Sequence, residues 1–257
     1  MGSITVLWLI LLVLMLVVGG QEGVSAFLSL LVNFGILFFA IVLISFQLNP
    51  LVVGIVASVV LLAITIFWSS ASDEASMVAF GASLVVLLIL LILIVVITKW
   101  AALGGFGLED SDELEGLSIL LGISFQQVAM VTALLSSLGA ISEAAIAIAS
   151  GLTEITAQHP QITASQLRKD GSQIGQQIIG TALNTLFFGF FGSSLGLFIW
   201  LNSLNYSWGV IINDKVFVTE LVAILIALLG VILIIPMTTI IISRRWQNKI
   251  NKQKDHH

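Results

Sequence analysis

The chain has 257 residues, 58% of them hydrophobic and only 9% charged, with a formal net charge of −5. A soluble domain carries about 25% charged residues, so this composition excludes a solvated globular surface and marks an integral membrane protein. The absence of cysteine excludes disulfides, thiolate catalysis and cysteine-ligated metals.

Residues 4–18 are apolar apart from Thr5, and no basic stretch or small-residue cleavage motif flanks them. They read as a retained first helix rather than a removable leader. The polar break Gly19-Gly20-Gln21-Glu22-Gly23 follows. Residues 24–46 form a second span, in which Asn33 reads as an interhelical hydrogen-bonding group. Gln47-Leu48-Asn49-Pro50 is a turn, with Pro50 suited to open the next helix because the first helical position needs no N–H partner. That helix runs over 50–68 and ends at Trp68, an interfacial residue.

A short loop carries Asp73 and Glu74, and residues 77–98 form the most lipid-like span, closed by Lys99 and Trp100. A Gly-rich loop then ends in five acids, Glu109, Asp110, Asp112, Glu113 and Glu115. It reads as solvated, because the alternating ligands, central glycine and terminal Glu of a calcium loop are missing.

The fifth apolar segment starts near Leu117 and can stay helical to about Thr156, longer than the roughly 20 residues a crossing needs. Either it extends beyond the membrane, or it breaks at Ser136-Ser137-Leu138-Gly139 and continues as an amphipathic piece. Thr163 and Gln166 have capping-box spacing for a helix that follows His159-Pro160. The sixth segment extends to Trp200, residues 201–215 read as a loop, and 217–243 is the last span, which Pro236 can kink.

The expected fold is thus all-α: a single polytopic helix bundle, with about seven spans at roughly 4–18, 24–46, 50–68, 77–98, 117–140, 174–200 and 217–243. Residues 141–172 would be interfacial, and 244–257 a basic tail. Five of nine basic residues lie in that tail, and Arg168 with Lys169 lie in another loop, so positive-inside bias places both in the cytoplasm and the acidic loop outside.

The polar residues inside the membrane are concentrated in the fifth and sixth segments. At 100° per residue Ser136, Ala140, Glu143, Ala147, Ser150 and Glu154 share one helix face, and Gln173, Gln177, Gly180 and Asn184 share another, with Thr181 on its flank. As antiparallel neighbours, the two segments would bring Ser136 level with Asn184, Gly139 with Gly180, and Glu143 with Gln177. The small residues Gly139, Gly175, Gly180, Gly192 and Gly196 are candidates for close helix packing. Hydrocarbon penalises such polar groups unless they face protein or water, so Glu143, Gln177, Thr181, Asn184, Ser136 and Gln173 are candidate lining for a solute or ion path. Glu143 would then be the group that responds to a proton or cation. The alternative is that the same faces only hold helices together. Phe187, Phe188, Phe190 and Phe191 read as packing and lipid contact.

Ser137-Leu138-Gly139-Ala140-Ile141 leading to Glu143, then Ile174-Gly175, Ile178-Ile179-Gly180-Thr181 and Asn184-Thr185-Leu186, resemble the signatures of the YibE/F family of multi-pass bacterial membrane proteins. The Gly105-Phe106-Gly107 run and the Asn49-Pro50 turn agree with this, and the resemblance covers nearly the whole chain. In the family pattern an aspartate is usual where Glu143 and Gln177 stand, so this chain keeps one acid and lacks the other. The resemblance implies the bacterial cell membrane. It also implies either a second, longer homologous membrane protein as partner or a homo-oligomer, and it supplies no established activity.

The reading is therefore a permease-like subunit, with a non-transporting scaffold or regulatory subunit as the alternative. Catalysis is not expected: no histidine lies in a span, and neither Gly-x-Ser-x-Gly nor His-Glu-x-x-His occurs. No cofactor, metal or nucleic-acid partner is expected, since His256 and His257 are the last residues and His159 stands alone in a loop.

Overall fold

In the computed structural model, residues 2–69, 72–101, 103, 122, 124–203 and 206–255 are described. The acidic run, Gly105-Phe106-Gly107, the first residues of the fifth segment from Leu117, and the last two histidines lie outside them. Every regular element among the described residues is helical: α1 (Ser3–Ser45), α2 (Pro50–Ser69), α3 (Asp73–Trp100), α4 (Phe125–Gln158), α5 (Ala164–Ser193), α6 (Leu195–Ser203), α7 (Trp208–Asn213) and α8 (Lys215–Asp255). Helices α1, α2, α3, α4 and α8 are each long and apolar enough to cross a membrane, and α5 with α6 passes the same test as a pair bent by 50°.

Two glycines fold α1 into a hairpin. Gly20 adopts φ 57° and ψ −134° inside the helix, a left-handed conformation that costs little only without a Cβ. At Gly23 a Cβ would lie 1.9 Å from the Met15 carbonyl oxygen, so the two arms touch backbone to backbone. The edge-on contact of Trp8 with Phe27, 5.7 Å between centroids, continues the pairing along both arms. Counted as two arms, α1 adds one apolar segment to the five or six helices long enough to cross, near the approximate seven expected.

Local chemistry sets the other helix starts. Asn49 Oδ1 accepts from the backbone N–H groups of Leu51 (3.0 Å) and Val52 (3.3 Å), and Pro50 opens α2. Ser72 caps α3 through the Ala75 N–H, with Asp73 and Glu74 at the positive end of the helix dipole. The acids therefore belong to the helix rather than to the loop expected for them. Thr163 and Gln166 close a reciprocal capping box at the start of α5.

Helix α4 is the centre of the bundle. Met130, Leu134, Ile141, Ile148 and Leu152 are buried against Leu90 and Ile94 of α3, Leu61 and Leu62 of α2, and Ile226, Ile234 and Ile235 of α8. Close approaches are made at small residues: a Cβ at Gly54 would meet Val131 at 2.5 Å, and one at Gly230 would meet Ile141 at 2.8 Å. Of the two alternatives for this segment, the break at Ser136 to Gly139 does not occur. Helix α4 runs continuously through both, because Ser137 and Ser142 return their hydroxyls to the Leu134 (2.7 Å) and Gly139 (2.9 Å) carbonyls without interrupting it.

The expected sixth span is divided instead, at Ser194, where α5 gives way to α6. Phe190, Phe191, Phe198 and Phe217 pack at 5.2–6.0 Å around that bend and join it to α8. Residues 208–213, expected as loop, form the short α7.

At the opposite end the Trp246 indole N–H donates to the Ile162 carbonyl at 2.9 Å. The α4–α5 turn and the basic end of α8 are thereby held together at one pole of the bundle, called here the tail end.

Candidate functional site

The polar residues of α4 and α5 fall on one outer surface. Buried positions of α4 point into the bundle, while Thr132, Ser136, Gly139, Glu143, Ala147 and Glu154 are exposed along one stripe. On α5, Gln173, Gln177, Gly180, Thr181 and Asn184 are exposed along another. Both helices turn their backs to α8. Gly171 and Gly175 of α5 abut Thr239 and Ile235, and Ile141 of α4 abuts Gly230. The contact between the two helices runs through Gly151 and Ile174 on their shared flank. With that contact on the flank and α8 behind, helical spacing turns both polar stripes to the side away from α8.

Depth follows from packing. Gly230 meets both Ile141 and Leu90, and Leu90 lies within the apolar run of α3. Glu143 is two residues nearer the tail end, a rise of about 3 Å, so it is close to the level at which α3, α4 and α8 meet. An exposed acid at that depth cannot be left in hydrocarbon at a cost of several kcal/mol. Water or protein must cover it.

Among the described residues the side chains of Glu143, Gln173, Gln177, Asn184 and Ser136 make no hydrogen bond or ion pair. Glu143 and Gln177 are therefore not bonded to each other. Thr181 differs, since its hydroxyl donates back to the Gln177 (3.2 Å) and Ile178 (3.0 Å) carbonyls. The five small residues separate in the same way. Gly175 is closely packed, where a Cβ would lie 2.3 Å from Ile235, whereas Gly139, Gly180, Gly192 and Gly196 have no atom within 4 Å of a built Cβ. Four of the five candidate packing glycines thus face open space around the single chain.

A neighbouring cleft of about 360 Å³ runs from Gly139 and Ser142 to Leu61 and Thr65 of α2 and Asn33 of α1. Asn33 Nδ2 donates to Thr65 Oγ1 at 3.1 Å, while Asn33 Oδ1 is buried without a partner. A second cleft, between α1 and α2, is lined wholly by apolar side chains such as Ile36, Phe39 and Val56 and offers no polar chemistry.

Sequence reasoning missed a third cleft, on the other flank of α5. It holds Arg168, Ser172 and Gln176 facing Pro236 and Thr239 of α8. The signal was present as four-residue spacing of polar side chains from Arg168 to Gln176, but it was overshadowed by the more numerous amides on the opposite face. Among the described residues no three of His, Asp and Glu gather as a metal-binding group.

A model of the family described as YibE/F-like protein matches residues 7–248, nearly the whole chain. No curated protein and no solved structure matches. The chain belongs to the YibE/F-like family.

Proposed function

We propose that this YibE/F-like chain is a permease-like subunit of the bacterial cell membrane, with its tail end in the cytoplasm. Its polar path would be completed where the α4–α5 face meets a second copy of the chain. The observation that carries this is the exposure of Glu143, Gln177, Gly180 and Asn184 on two long helices, with no side-chain partner among the described residues. Lipid leaves such a face unsatisfied. Side-chain amides both donate and accept, so a face rich in Gln and Asn is self-complementary across a two-fold axis. Glu143 would hold the proton or cation that moves along the seam. The basic residues of the tail and the turn at one pole support the orientation.

The chain is free of cysteine, which makes the test direct. Single cysteines at Ser136, Gly139, Glu143, Gln173, Gln177, Gly180 and Asn184 are treated in intact membranes with an impermeant thiol reagent from either side. Labelling of these positions deep into the segments, with Ala144 and Ile148 protected, is the expected result. Protection of the whole stripe, together with cross-linking between copies, would make the face a dry interface and the chain a scaffold.

A further inference from the structure

The cleft between α5 and α8, on the flank of α5 away from the polar stripe, is built in two halves. Arg168, Ser172 and Gln176 line it from the tail end inward, with Ile240 of α8 across from them, and Ile179 and Ile232 line it toward the membrane interior, around a volume of about 340 Å³. Gly175 lines its floor, and there and at Gly171 α5 comes so close to α8 that a Cβ would strike Ile235 at 2.3 Å or Thr239 at 2.6 Å. The Thr239 hydroxyl is buried in the same wall without a hydrogen-bond partner. Pro236, also in the wall, has no N–H to return to the Ile232 carbonyl.

Charge and length together select a ligand. Arg168 is exposed and makes no ion pair among the described residues. Arg244 is exposed one turn beyond Ile240 along the same α8 stripe, which places a second cation toward the mouth. From Ile232 to Arg244 the helix rises about 18 Å, close to the distance from the bilayer centre to its headgroup region. A guanidinium at headgroup depth, hydroxyl and amide donors one to two turns below it, and a branched apolar slot below those match an anionic phosphodiester carrying an acyl chain.

We infer that this groove is a binding site for an anionic phospholipid of the tail-side leaflet. Arg168, Ser172 and Gln176 hold the phosphate, and one acyl chain lies along Ile179 and Ile232. This does not depend on the polar face of α4 and α5 or on what that face does.

Native mass spectrometry of the detergent-purified chain, titrated with phosphatidylglycerol or phosphatidylcholine of the same chain length, tests the assignment. The expected result is one tight phosphatidylglycerol adduct, weakened about tenfold by Arg168→Gln and largely kept by Arg168→Lys. Ile232→Trp, which fills the exposed apolar half, should also remove it while leaving Arg168 in place. Equal binding of the two lipids, or an adduct indifferent to both Arg168→Gln and Ile232→Trp, would overturn the site. Displacement of the lipid by millimolar inorganic phosphate would make the cleft a free-anion site and overturn the lipid assignment.

Discussion

Ile141 packs directly on Gly230, so closely that a Cβ at Gly230 would sit 2.8 Å from the Ile141 side chain and 3.0 Å from Leu90. Helices α3, α4 and α8 therefore meet at one level, and that level fixes the depth of Glu143. A glycine in a helix interior costs up to about 1 kcal/mol relative to alanine, so its use here is explained by the approach it allows. Gly230→Val should destabilise the bundle by about 2 kcal/mol through overpacking. Gly230→Ala should stay near neutral, as helix propensity offsets a smaller clash. Thermal unfolding in detergent reads both; a Gly230→Val chain as stable as the parent would mean that the three helices do not meet there.

Gly23 makes a different demand, because its obstacle is backbone. A Cβ 1.9 Å from the Met15 carbonyl cannot be relieved by a rotamer change, so Gly23→Ala should open the α1 hairpin and separate Trp8 from Phe27. The first arm is mostly exposed on the bundle surface, so the effect should stay local. Limited proteolysis is expected to cut faster between Gly19 and Gly23, with the main melting transition unmoved. A shift of the main transition of the size expected for Gly230→Val would show that the first arm is part of the core.

Asn33 and Thr65 are unequal partners, although they share one 3.1 Å hydrogen bond. The Asn33 amide oxygen is already unsatisfied, so Thr65→Val would strand the whole amide and should cost about 1–3 kcal/mol. Asn33→Leu removes the demanding group and leaves Thr65 free to bond within its own helix, so it should cost less than 1 kcal/mol, near the average for a membrane hydrogen bond. The order of the two melting temperatures checks this, and the reverse order would mean that water satisfies Asn33 through the cleft.

These cases show which features were legible in the sequence and why others were not. The helical membrane fold follows from composition and hydropathy, and the α5 start could be read because Thr163 and Gln166 report a hydrogen-bond geometry fixed by spacing alone. Continuity through Gly139 was not readable, since a serine pair before a glycine suits either a break or internal back-bonding, and only the neighbours decide. Helical spacing grouped Glu143, Gln177 and Asn184 onto faces, but which way a polar face turns is a tertiary property. The candidate packing glycines divided in the same way: Gly175 meets Ile235, while Gly192 and Gly196 meet nothing among the described residues.

Gly180 separates a face that awaits a partner from one that does not. It lies on the polar stripe between Gln177 and Asn184, and nothing among the described residues beyond its own helix turn comes within 4 Å of a built Cβ. Gly180→Leu should therefore leave the single chain intact and slightly stabilise it, by up to about 1 kcal/mol, because leucine is the better helix former. If two copies approach along the stripe, the same leucine stands in the closest part of their contact. Association should then fall by about tenfold or more, from lost packing and from amide pairs held apart. Förster transfer between labelled copies in liposomes measures association, and melting of the diluted protein in detergent measures the chain itself. A rise in stability with a fall in association is the expected pair of results. A rise in stability with association unchanged would mean that no second copy approaches Gly180 closely, and the covering of Glu143 would then have to come from water or from a different chain.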